Sequence, residues 1–288
     1  HPGYGFLSEN AAFAERCEKE GIIFIGPKPH AITVMGDKTA ARELVSELGI
    51  PTPPGLKSEL KDLEEASRIA DEIGYPILVK AAAGGGGKGM RIVHKKDEFE
   101  SSIKAAKSEA KNAFGDDRIY IEKYLEEPRH VEFQIMADTH GNVLHVFDRE
   151  CSIQRRHQKV IEEAPCALLT PELRAKMAEA AIKAAKGCDY VGAGTIEFLV
   201  DKHRDFFFLE MNTRLQVEHP VTEMISGVDL VAMQILVAEG KELPFKQDDL
   251  SINGHSIECR IYAEDPDDNF LPSTGMLYKH RVPTGDGI

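Results

Sequence analysis

From Leu209 to Glu218 apolar and polar side chains alternate. Leu209, Met211, Leu215 and Val217 are apolar; Glu210, Asn212, Arg214, Gln216 and Glu218 are polar or charged, with Thr213 between. A period of two predicts extended chain with one face packed and the other free. Upstream, residues 193–200 form a short apolar run that holds one acid, Glu197. Residues 201–205 read as a polar turn, and Phe206 opens the next strand. A hairpin pivoting near His203 sets Glu197 opposite or diagonal to Glu210, with Cβ atoms about 5 Å apart.

The same reading along the chain predicts mixed helices and strands. Residues 1–10 are a Gly-rich loop with Ser8 as helix cap. A helix follows over 11–20, and residues 22–25 form a short buried strand. Helical stretches at 31–35 and 38–48 lead to the Pro-rich linker at 49–55. Residues 60–73 read as an amphipathic helix. Strands at 75–80 and 90–94 flank a glycine run, a helix reaches about residue 112, and 119–124 is a strand. Strands at 130–137 and 143–148 form a hairpin. Thr170 caps a helix that runs to about 186. The Glu197–Glu210 hairpin follows, then a helix at 228–239 and a strand at 252–263.

Two shielded carboxylates this close repel, so a cation must sit between them. The alternative, an ordinary solvated strand face, fits poorly with two carboxylates, two amides and a guanidinium in ten residues. Oxygen-only donors from Glu197, Glu210 and the Asn212 carbonyl suit Mg²⁺ or Mn²⁺ rather than zinc. Mg²⁺ held by so few protein oxygens usually takes phosphate oxygens as well, which calls for a phosphate loop elsewhere. The run from Ala81 to Gly89 supplies one: Gly84, Gly85, Gly86, Gly87, Lys88 and Gly89 let backbone amides approach an anion. It fails the Walker A pattern, because Ala82 and Gly89 stand where Gly and Ser or Thr are needed. A strand rather than a helix follows, so the loop reads as a flap between strands and not as a dinucleotide fingerprint.

Composition narrows the classes. The 288 residues are 42% hydrophobic and 29% charged without a low-complexity tract, which is globular composition. A net charge of −13 argues against nucleic acid and against an anionic membrane as partner. No run approaches the ~18 apolar residues of a transmembrane helix. Five cysteines without C-x-x-C spacing read as reduced thiols. The start at His1, inside a motif, reads as part of a longer protein.

The chain resembles the biotin carboxylase component of biotin-dependent carboxylases, within the ATP-grasp superfamily. The resemblance rests on residues 1–10 (HPGYGFLSEN), 35–38 (MGDK), 80–90, 122–125 with 128–130, 151–159 with 162–165, 210–220 (EMNTRLQVEHP) and 258–266. It implies an α/β (α+β) ATP-grasp fold. Residues 1–35 would be the tail of a Rossmann-like N-terminal domain and 36–250 the ATP-grasp domain, with a lid at about 55–122. Residues 251–288 would start a C-terminal domain.

The resemblance also implies roles. Lys38, Lys80 and His130 would contact ATP phosphates, with the glycine loop and Met90 closing over the nucleotide. Glu122, Lys123 and Leu125 would hold the adenine, and Gln154 and His157 would lie near the ribose and phosphates. Glu197 and Glu210 would bind the metal, with Asn212 close by. Arg214, Gln216 and the Val217 amide would bind bicarbonate, with Glu218 as its general base. Lys159 would stabilise the transferring phosphoryl group and Arg260 the biotin enolate. By itself the basic run at 155–159 reads as a solvated face or a nucleic-acid patch, and His130 and His157 as structural.

Implied partners are a biotin carboxyl carrier domain, a carboxyltransferase and a homodimer or larger assembly. The implied compartment is the cytoplasm, or the mitochondrial matrix in a eukaryote. One competing reading is another bicarbonate-activating ATP-grasp ligase, such as a carbamoyl-phosphate synthetase half; residues 216–220 (QVEHP) argue against it. A regulatory nucleotide-binding domain with a dead site is the other, and the complete set of acids and bases argues against that.

Overall fold

The computed structural model describes residues 1–55, 63–81, 90–156, 158–285 and 287. They form two compact units, His1–Glu258 and Cys259–Ile288.

In the first unit the helix α1 (Ala11–Lys19) starts not at Ser8 but at Asn10, whose side chain accepts from the Phe13 amide. Ser8 instead donates its hydroxyl to Gly5. Residues 22–25 form no strand, because no described strand pairs with them; Ile22 and Ile23 are exposed. Helix α2 (Pro29–Gly36) follows, then α3 (Lys38–Glu47), capped by the Asp37 carboxylate on the Thr39 and Ala40 amides.

A small subdomain comes next: α4 (Leu63–Ile73), β1 (Ile77–Ala81), β2 (Met90–Val93), α5 (Phe99–Phe114) and β3 (Ile119–Lys123). Its antiparallel sheet has the order β2-β1-β3, and Ile77, Val79, Ile119 and Ile121 pack against Ala66, Ala70, Ile103 and Ala106 of the two helices.

The main sheet is built from β4 (Arg129–Ala137), β5 (Val143–Arg155), β6 (Gln158–Ala164), β7 (Gly192–Val200), β8 (Phe206–Asn212) and β9 (Ser256–Cys259), in the order β8-β7-β4-β5-β6-β9. Helix α6 (Pro171–Gly187) covers one face, where Val131, Phe133, Ile135, Ile196 and Phe198 meet Met177, Ala181 and Ala184. Helices α7 (His219–Ser226) and α8 (Leu230–Ala238) lie toward the other face. Strand β5 runs seven residues beyond the predicted hairpin, and β6 and α7 were absent from the sequence reading. Polar and charged residues interrupt the apolar alternation over the second half of β5 and over β6, which hides the strand pattern.

Among the described residues of the second unit, β10 (Glu264–Asp265) and β11 (Leu271–Pro272) pair, and the predicted strand at 252–263 contracts to β9. No single helix among the described residues is long and apolar enough to cross a membrane.

At Gly194 in β7 a Cβ atom would lie 2.6 Å from the Tyr190 ring, which is pinned by its hydroxyl bond to Ala193 at 2.8 Å. Gly194→Ala is expected to cost about 1–3 kcal/mol, read as a lower denaturation midpoint.

Candidate functional site

Side chains of a regular strand change face at every residue, so one extra residue changes which parity points where. Two such irregularities build this site. In β8, Phe208 pairs with Phe198 and Glu210 with Glu197, which leaves Leu209 as the extra residue. Phe208 therefore joins the α6-side core while Glu210 and Asn212, also even-numbered, face the opposite side. In β5, the register slips between the partners of Phe133 and Ile135, next to Phe147 at φ 65°. Leu144 and Val146 lie on one face, and beyond the slip the odd-numbered Arg149 joins that same face, opposite Glu132.

The predicted extended run to Glu218 is corrected. Strand β8 ends at Asn212, residues 213–218 form an irregular turn, and Glu218 precedes α7 without a side-chain capping bond to the helix. Nor is the polar side free: Gln216 and Glu218 are buried, at 4% and 2% exposure. Alternation here reflects a turn packed on both sides, which period alone does not distinguish from a strand.

Glu197 lies directly opposite Glu210, one of the two placements the hairpin allowed. The cation beside Glu197 is Lys159, delivered by the tight β5–β6 hairpin in which Gln154 pairs with Lys159 and Arg156 adopts φ 52°. Its Nζ donates to Glu132 at 2.5 Å, Glu218 at 2.7 Å and Glu197 at 2.8 Å. The ammonium bridges acids of both groupings that have metal-ligand spacing among the described residues, His130–Glu132–Glu197 and Glu132–Cys151–Glu218. Lys159 is therefore no part of a solvated basic face.

Burial pushes the Lys159 ammonium down, but Glu132 and then Glu197 outweigh it and hold its pKa well above the ordinary lysine value. Burial pushes Glu197 up, yet Lys159 and His130 hold it well below the usual carboxylate range. Glu218 is likewise lowered: burial raises it, and Lys159 and then Arg149 prevail. Glu210 moves the other way, raised by burial and by the charge of Glu197, with Lys38 only partly opposing. Lys38, the first residue of α3, is lowered by burial. Glu210 thus lacks the counter-charge that Glu197 has, and an added cation would meet that need.

His130 places Nε2 2.8 Å from Glu197, and Gln154 lies 2.8 Å from its Nδ1. Despite burial, Glu197 raises the His130 pKa. Asn212 turns its amide nitrogen to Glu197 at 2.8 Å and its oxygen to Arg214 at 3.1 Å, so in this arrangement the carbonyl serves the guanidinium. Gln216 donates to Glu197 at 3.1 Å. Arg214 also donates Nε to Glu9 at 2.8 Å. Val217 is half-buried in the turn.

On the smaller sheet, Lys80 sits opposite Met90 and forms an ion pair with Glu122. Arg42 of α3 holds the other Glu122 oxygen at 2.5 Å. The Lys123 amide donates to Pro54 at 2.7 Å, and Leu125 is half-buried just beyond β3. Gly84 to Gly89, with Lys88, and His157 lie outside the described residues. Arg260 belongs to the second unit.

Two charged residues at the centre escaped the sequence reading. Arg149 is wholly buried and donates to Glu132 at 2.6 Å, Gln134 at 2.7 Å, Thr222 at 2.9 Å, Gln216 at 3.1 Å and Thr195 at 3.3 Å. Glu132 thereby bridges Arg149 and Lys159. The available signal was the alternation of His130, Glu132 and Gln134 along β4.

Two family models match the chain: the carbamoyl-phosphate synthase L chain, ATP binding domain over residues 37–246, and the biotin carboxylase N-terminal domain over residues 1–32. A pyruvate carboxylase subunit from Methanothermobacter thermautotrophicus is 57% identical over all 288 residues, which span 58% of that relative. Biotin carboxylase of Nostoc is 54% identical over 100% of the chain and 64% of its own length. The chain thus spans less than two thirds of these relatives. Among solved structures, a biotin carboxylase–β,γ-ATP complex from Campylobacter jejuni superposes with TM-score 0.93 at 54% identity, over 98% of this chain and 63% of that one. The biotin carboxylase domain dimer of Hydrogenobacter thermophilus 2-oxoglutarate carboxylase, in complex with MgADP, ADP and bicarbonate, gives 0.93 at 53%, over 99% and 63%.

Removing the central cation should be costly. Lys159→Met leaves three buried carboxylates without their shared partner and is expected to lower stability by about 3–5 kcal/mol near neutral pH. Glu197 and Glu218 are held below the ordinary carboxylate range. Their contribution is therefore complete above that range and is lost as pH falls through the folded-state values. The deficit of the variant should shrink as denaturation is repeated from about pH 7 down to about pH 4 and below.

Proposed function

The chain belongs to the biotin carboxylase branch of the family defined by the carbamoyl-phosphate synthase L chain ATP-binding domain, and on that premise we propose that its full-length protein carboxylates biotin. ATP and bicarbonate would form carboxyphosphate, and biotin on a carrier protein would receive the carboxyl group. One observation supports this above the others: Glu218, a buried base kept ionised by Lys159 at 2.7 Å, shares a turn with Arg214 and Gln216 beside the Glu197–Glu210 pair. A base, an anion-binding guanidinium and a cation-demanding acid pair converge there.

Lys38, Lys80 and His130 would receive the ATP phosphates, with Gln154 steadying the His130 ring. With the Glu122 carboxylate taken by Arg42 and Lys80, the adenine would be read by the chain around Lys123 and Leu125. The domain limits at residues 35 and 250, and the roles of the glycine loop, His157 and Arg260, belong to the same proposal and rest on motif alone.

A divalent cation such as Mg²⁺ or Mn²⁺ suits Glu197 and Glu210, hard oxygen donors whose mutual repulsion Lys38 only partly offsets, with Asn212 close by. When bound it would neutralise phosphate charge during transfer. Arg214 and Gln216 orient bicarbonate, and Glu218 takes its proton as an oxygen attacks the γ-phosphorus and ADP departs. Lys159 stays protonated beside the reacting groups and offsets their negative charge. Carboxyphosphate then yields CO₂ and phosphate, the phosphate takes the biotin N1 proton, and the resulting anion, steadied by Arg260, adds to CO₂. A carboxyltransferase would consume the product, and the assembly would be a dimer or larger.

In the full-length protein, ATP hydrolysis should require bicarbonate and rise with free biotin. Turnover indifferent to both would end this reading. Glu218→Ala should lower carboxylation by about 10²–10⁴-fold while nucleotide affinity stays near that of the parent.

A further inference from the structure

The Gly-rich loop at residues 1–10 has no task in the chemistry above, yet it reaches the acceptor side of the site. Glu9 accepts the Thr213 amide on Oε1 at 2.9 Å and the Thr213 hydroxyl on the same oxygen at 3.2 Å. Its Oε2 accepts Arg214 Nε at 2.8 Å. The contact joins residues 204 and 205 positions apart in sequence.

Glu9 is held from both sides. Ser8 beside it is 2% exposed and bonds back to Gly5 at 2.6 Å, while Asn10 caps α1. The start of the loop is tied to α8 by His1 and Gln234 at 3.1 Å. The carboxylate is therefore presented by a tethered loop end.

Two consequences follow for the turn. Thr213, the first residue beyond β8, gives its amide to Glu9, which fixes where the turn starts. Arg214 has five N–H groups. Glu9 takes the one on Nε, Asn212 one on Nη2 at 3.1 Å, and Leu215 one on Nη1 at 3.2 Å. Among the described residues this leaves one N–H on each terminal nitrogen. Such a pair meets a planar anion in two-pronged fashion.

We propose that Glu9 is the positioning residue of the anion site: it anchors the turn at Thr213 and aims Arg214 so that its outer two N–H groups face bicarbonate. This rests on the reading of Arg214, Gln216 and Glu218 as the bicarbonate site.

The test uses the full-length protein with Glu9→Ala and Glu9→Gln, measuring KM for bicarbonate, KM for ATP and the melting temperature. The alanine variant should raise the bicarbonate KM on the order of tenfold to a hundredfold, the scale of a lost hydrogen bond to a charged group. The ATP KM should stay within about twofold of the parent. Glutamine retains an acceptor for Thr213 and should recover part of the loss. An unchanged bicarbonate KM in both variants overturns the proposal, as does a parallel rise in both KM values with a fall in melting temperature. Should the alanine variant fail to fold, the glutamine variant decides alone, and a bicarbonate KM equal to that of the parent overturns the proposal. Failure of the underlying reading is separately visible, because ATP turnover of the parent would then not depend on bicarbonate at all.

Discussion

A single ammonium group, that of Lys159, reconciles three carboxylates that could not otherwise be buried together. Glu132 comes from β4, Glu197 from β7 and Glu218 from the start of α7, so no two of them share an element. Each alone would take up a proton on burial rather than remain an anion. With the lysine among them Glu197 and Glu218 are held below the ordinary carboxylate range, and Arg149 supplies a second cation behind Glu132. Such clusters give little net stability, because desolvation offsets most of the attraction. What they fix is geometry, for the acids are tolerated in the interior only in this arrangement.

Glu197 joins the two halves of the site. One oxygen receives Lys159, Asn212 and Gln216, and the other faces His130. His130 on one side and Lys159, Asn212 and Gln216 on the other thus meet at a single carboxylate. Spacing between them is set by that shared anchor and by the turn after Asn212, not by the repeat of a continuous strand. A disturbance on either side would reach the other through that carboxylate.

Much of this was legible in the chain. The Glu197–Glu210 juxtaposition followed from a polar turn between two apolar runs, because hairpin pairing is a local rule. The helices α3, α5 and α6 and the strands of the smaller sheet also followed from local pattern. What stayed hidden depends on distant partners. Arg149 draws its meaning from Glu132, Gln134, Thr195, Gln216 and Thr222, and nothing near it in sequence announces them. The end of β8 was misread because burial on both sides of the turn mimics alternation. The unpaired stretch at 22–25 has strand composition but no partner among the described residues, and a strand exists only as part of a ladder.

The slips in β5 and β8 also bear on assembly. A plain antiparallel ladder can slide by two residues and still keep every apolar side chain inward, so hydrophobic burial alone leaves several alignments nearly equivalent. An extra residue abolishes that equivalence, because it fits at one position only. Leu209 and the residues around Phe147 thus index their strands, much as the cuts of a key admit one depth of insertion. The opposition of Glu197 to Glu210 and of Glu132 to Arg149 is settled when the sheet zips, before any ligand is present to reward it.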